Sequence, residues 1–175
     1  MARILPRMLR AALLDADLYE EVEADRGATG QALVVVLISA VAAGIGSFDN
    51  SGLPGIFWSS VAALVGWYVW AYATYFIGTR FLPTHETVAD HGELLRTIGF
   101  SSAPGVLRVL ALIPAIAGVV FLVSTLWMMV AMVVAVRQAL DYQGTGRAIA
   151  VCAIGFPIYA VFLAASLLVL GAWPV

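Results

Sequence analysis

Five stretches of this sequence, at about 29–48, 56–78, 97–113, 115–138 and 147–173, hold no acidic side chain and are almost wholly apolar. A helix of twenty residues rises about 30 Å, the thickness of one hydrocarbon core. In lipid every backbone N–H and C=O must be satisfied internally, so such stretches become helices or close into a barrel. Stretches of this length predict an all-α fold: a polytopic membrane protein, a bundle of five transmembrane helices. Composition agrees. Of 175 residues, 62% are hydrophobic and 11% are charged, against roughly 25% charged in ordinary soluble domains. Mean hydropathy is +0.97. The net charge of −2 supplies no basic footprint, so no nucleic-acid partner is expected.

Residues 1–28 differ from the rest and are expected to form a cytoplasmic N-terminal segment, with 29–175 the transmembrane domain. Leu5, Met8, Leu9, Ala12, Leu13, Ala16, Tyr19 and Val22 recur at helical spacing, predicting one amphipathic helix over 3–25. Arg3, Arg7 and Arg10 are expected to face anionic headgroups, while the acidic run from Asp15 to Asp25 leaves the membrane. That run is also suited to docking on the protein's own Arg-rich face. The first apolar stretch follows six acidic residues, so no cleaved signal peptide is expected. Arg3, Arg7, Arg10 and Arg26 precede the first segment; Arg80 and Arg96 flank the loop between the second and third; Arg137 and Arg147 flank the loop between the fourth and fifth. A five-span parse puts all of these on one side. The positive-inside rule makes that side cytoplasmic, with the C-terminus outside, in the cell's inner (plasma) membrane.

The first two segments carry small residues at fourfold spacing: Ala40 and Gly44, Ala42 and Gly46, Ala62 and Gly66. Such pairs let neighbouring helices approach closely. The second segment is aromatic. Tyr68, Tyr72 and Tyr75 form one stripe, and Trp67 and Trp70 sit near mid-span. The stripe serves either helix packing or a groove for a lipid, a quinone-like molecule or a pigment. Buried Tyr and Trp need hydrogen-bond partners, which Ser59, Thr74, Ser101, Ser102, Ser124 and Thr125 are placed to supply.

Arg108 is the one cation in the interior of a segment rather than at its end, and an intramembrane charge is by default a functional-site hypothesis. Either it snorkels outward, pairing with Asp49, or it binds a lipid phosphate or a carboxylate between helices. The loop 84–96 holds His85, Glu86, Asp90, His91 and Glu93, with Thr84 or Thr87 expected to cap a helix. Its spacing is not His-Glu-x-x-His, and no metal site is expected. The lone Cys152 excludes an internal disulfide. No nucleotide-binding or hydrolase signature occurs, so neither catalysis nor a cofactor is expected. The absence of intramembrane acids disfavours an ion-coupled transporter.

Asp17-Leu18-Tyr19 in the N-terminal segment, and Gly99-Phe100 followed by Pro104 in the third span, resemble the two short motifs of the Yip1 family. The layout of five spans after a cytoplasmic N-terminus is also similar. The run 92–105 and Val136-Arg137-Gln138-Ala139-Leu140 look closest to bacterial members. Eukaryotic members carry Gly-Pro after the first motif and bind Rab GTPases in vesicle traffic. Here Glu20-Glu21 stand in that place, and the resemblance implies no such partner. The expectation is a membrane scaffold or accessory subunit. It would work through contacts with membrane lipids and with other membrane proteins or copies of itself. The alternative is a small-molecule or lipid permease using Arg108 and the tyrosine stripe.

Overall fold

The computed structural model describes residues 4–171 except 86 and 88, with the side chains at 48–51, 163 and 166–171 also outside the description. Within these bounds the protein is all-helical. Seven α-helices follow in order: α1 (Ile4–Ala12), α2 (Ala16–Ala24), α3 (Ala28–Gly46), α4 (Phe48–Arg80), α5 (His91–Ser101), α6 (Ala117–Ala139) and α7 (Thr145–Gly171). A 3-10 run, Ala103–Leu112, continues α5. Four helical stretches are long and apolar enough to cross a membrane: Ala28–Gly46, Gly52–Arg80, Pro114–Ala139 and Thr145–Phe162.

Three elements differ from the sequence expectation, each for a local reason. The single N-terminal helix is two. Leu14 takes a positive φ of 62°, and Asp15 starts α2 by accepting hydrogen bonds from the backbone N–H of Asp17 and Leu18. The gap at 49–55 between the first two predicted segments narrows to a break at Gly52 (φ 58°, ψ −165°), a conformation that costs a side-chain-bearing residue. Pro54 then lies in the first turn of the long helix, where its missing N–H is tolerated.

The third expected segment is not one helix. Pro104 disfavours α geometry in the residue before it and cannot donate to the ladder. The α5 geometry ends at Ser101, and the chain proceeds as the stretched 3-10 run. The composite still travels the length of α3, in the same direction. Gly99 abuts Ala32, Gly105 abuts Ser39, and Gly46 abuts the Arg108 carbonyl. From Ala32 to Gly46 is about 21 Å at 1.5 Å per residue. Between the first two contacts α3 uses seven residues, about 10.5 Å, and the composite uses six, because a 3-10 run rises about 2 Å per residue.

Gly46, Gly99 and Gly105 make this contact possible. A Cβ at Gly46 would overlap the Arg108 carbonyl oxygen, and one at Gly105 would overlap Ser39 Oγ. The other small residues have distinct places. Gly44 lies against Ile56 and Gly66 against Tyr159, Ala40 and Ala42 are buried, and Ala62 is half-buried.

Candidate functional site

The end of the bundle that gathers Arg7, Arg10 and Arg96 is closed by α1 and α2. Two short motifs meet there, although some 80 residues separate them. Leu18, Tyr19 and Phe100 are fully buried in one cluster with Met8, Ala11, Ala32 and Ala103. The Tyr19 hydroxyl donates to the Ala11 carbonyl at 3.2 Å. Asp17 is exposed and faces its own cap residue. Gly99 is where α5 presses on α3, and Pro104 opens the 3-10 run.

Charge holds this cap in place. Arg7 is 5% exposed and donates to Glu21 at 2.7 Å, Asp25 at 3.0 Å and Gln31 at 3.1 Å. Arg10 binds Asp15 at 2.7 Å and Glu21 at 2.6 Å. The arginines of α1 therefore turn inward to the acids of α2, not outward to headgroups, and Leu5, Leu9 and Leu13 face out instead. Hydrogen bonds from Arg7 hold the carboxyls of Glu21 and Asp25 below the usual range, and Arg10 does the same for Asp15. Arg96, also 5% exposed, donates through Nε to the Val22 and Glu23 carbonyls at 3.0 Å, and through Nη2 to the Glu23 carbonyl. These carbonyls end α2 and have no partner within their own helix; a cation there also complements the helix dipole. The Glu23 carboxyl is pushed up to about 7 by burial, with Asp141, Glu93 and Glu20 adding repulsion. Trp127 Nε1 caps α1 at the Ala12 carbonyl (2.7 Å), and Gln138 donates to Glu20 at 2.8 Å.

The expected ligand residues fall in two places. Tyr68, Tyr72 and Tyr75 surround the His91 ring edge-on, with centroids 5.0, 5.6 and 6.2 Å away. Both ring nitrogens of His91 are buried without a partner among the described residues. Burial pushes this imidazole below the usual histidine range, opposed by Asp90. Tyr68 and Tyr72 remain 55% exposed on the outer wall. No group of three metal-ligating side chains converges among the described residues, and Glu86 lies outside them. Asp90, rather than Thr84 or Thr87, caps α5, in a reciprocal box with Glu93.

Arg108, Trp67 and Trp70 instead share a cavity of about 660 Å³ between α3, α4, α5, α6, α7 and the 3-10 run. Met128, Met132, Phe156 and Tyr159 also line it. Arg108 donates to Ser124 Oγ at 3.2 Å and Thr125 Oγ1 at 2.9 Å, and lies over the Phe121 ring at 5.6 Å. No carboxylate among the described residues pairs with it; the side chain of Asp49, its expected partner, lies outside them. Trp67 Nε1 donates to the Leu95 carbonyl at 2.9 Å and Trp70 Nε1 to Met132 Sδ at 3.1 Å. The hydroxyls expected to serve the aromatics mostly bond backward in their own helices: Ser59 to Ile56, Thr74 to Trp70, Ser101 to Ile98 and Ser124 to Phe121. An acceptor one turn back is always in reach.

A family model for the Yip1 domain matches residues 15–167. No curated protein and no solved structure matches the chain.

Proposed function

The chain belongs to the Yip1 family, and from that premise we propose that it is a non-enzymatic scaffold or accessory subunit of the inner (plasma) membrane. The observation that carries this reading is how its charges are used. Arg7, Arg10 and Arg96 fix a two-helix cap onto the bundle and leave Leu5, Leu9 and Leu13 displayed on its outer side. An apolar stripe held on a rigid, ion-paired base presents a surface to lipid or to another protein.

The proposed topology has five crossings, with the N-terminus cytoplasmic and the C-terminus outside. It is supported by the arginine distribution and by the parallel run of the composite third segment beside α3. Extraction in a gentle detergent, followed by mass measurement of the intact complex, tests the scaffold role. The expected result is a stoichiometric membrane-protein partner or a homo-oligomer. A strictly monomeric, partner-free species contradicts it.

A further inference from the structure

Arg108 lies at one end of its cavity, and the geometry points to a ligand of matching shape. We propose that the cavity binds one acyl chain with its anionic head, carboxylate or phosphate, on Arg108. Along the third segment, Arg108 and Ile98 both line the cavity. They are separated by about 18 Å, from four α rises and six 3-10 rises. One leaflet of a hydrocarbon core is about 15 Å thick. The cavity is therefore as long as a single chain in one leaflet, and its volume of about 660 Å³ is within the ordinary range for ligand sites.

The walls suit such a chain. Trp67, Trp70, Met128, Met132 and Phe156 offer apolar and adaptable surface. The head end suits an anion. Arg108 uses Nε and Nη2 on two neutral hydroxyls, and its Nη1 has no hydrogen bond to a described residue. Tyr159, in the same wall, likewise has a hydroxyl with no bond to a described residue. A guanidinium with neutral partners keeps its charge for an incoming carboxylate or phosphate, and removal from water strengthens that attraction. The lining contains no acidic side chain to repel it.

The test uses the full chain in a nonionic detergent and follows tryptophan emission as stearic acid brominated at mid-chain is added, with its methyl ester as the neutral control. The acid should quench saturably, at least tenfold more tightly than the ester. Arg108→Gln should reduce the acid to the ester's level, while Arg108→Lys should stay within about threefold of wild type. Replacing Trp67 and Trp70 by Phe should remove the saturable part. Displacement of the brominated acid by lysophosphatidic acid assigns the site to phosphate heads as well; acid binding without displacement assigns it to carboxylates. Equal quenching by acid and ester overturns the proposal, as does an Arg108→Gln affinity within twofold of wild type. Where Arg108→Gln does not remain monodisperse, the wild-type comparison of acid with ester decides alone. No partner protein is present in this assay, so its failure leaves the scaffold reading standing, and loss of the partner leaves the quenching unchanged.

Discussion

Arg96 and Arg108 lie twelve positions apart on the same composite segment, and the chain treats them in opposite ways. Arg96 is buried beneath α2 and donates to two backbone carbonyls that nothing else in that helix can satisfy. Arg108 reaches only two hydroxyls and an aromatic face, beside a cavity. At the Arg96 end the structure is held by charge and backbone capping. At the Arg108 end it is held by glycines that bring two backbones together, with the cation left over. The contrast teaches that a charge in an apolar chain is structural when it completes a helix terminus. It is available for a ligand when its only partners are neutral.

The largest expected effect comes from breaking the first end. Arg96→Met keeps the length but orphans the α2 carbonyls, and it should destabilise the cap by about 3 kcal/mol, the upper range for hydrogen bonds to charged groups. Hydrogen exchange should show residues 16–24 losing protection while α6 and α7 keep theirs. Unchanged protection would mean that Arg96 is dispensable.

At the other end, Gly46→Val forces a side chain against the Arg108 carbonyl. It should cost about 2 kcal/mol, typical of overpacking. Thermal unfolding in detergent should report it, together with loosened exchange in the 3-10 run. Arg108→Gln, by contrast, should lower stability by less than about 1 kcal/mol, since its partners, two hydroxyls and an aromatic face, carry no charge and the amide can still reach the hydroxyls. A loss as large as that of Arg96→Met would erase the distinction between the two arginines.

The smallest effect is a dependence on pH. The Glu23 carboxyl has an ordinary value of 4.5 and about 7 in the folded protein. Between these values the folded state holds the extra proton. This group's contribution is therefore full below about pH 4.5 and is lost as pH rises through about 7. Glu23→Gln should raise cap protection over wild type at pH 8 and leave it nearly unchanged at pH 5. A gain of equal size at both would rule out this titration.

Helical stretches and their order were legible in the sequence because lipid permits few alternatives. Breaks within them were partly legible. Asp15 before α2 and the Asp90-x-x-Glu93 box are capping signals, whereas the 3-10 stretch after Pro104 depends on how closely α3 approaches. The direction of α1 was not legible. Periodicity identifies an apolar and a basic face, but the acids of α2 decide which one turns inward. Arg108 and the tyrosine stripe, joined in the permease alternative, lie in different places. Their separation follows from the rotation of α4, which sends Trp70 toward Met132 of α6, Trp67 toward Leu95, and Tyr68, Tyr72 and Tyr75 toward His91. No local pattern encodes that rotation.

The proposed topology puts the capped, arginine-tied end in the cytoplasm and takes the chain across the bilayer an odd number of times. Paired fusions after Val175 test it most directly, one to a fluorescent protein that matures only in the cytosol and one to a phosphatase active only outside. A dark fluorescent fusion and an active phosphatase are the expected result. Fluorescence with an inactive phosphatase would contradict it.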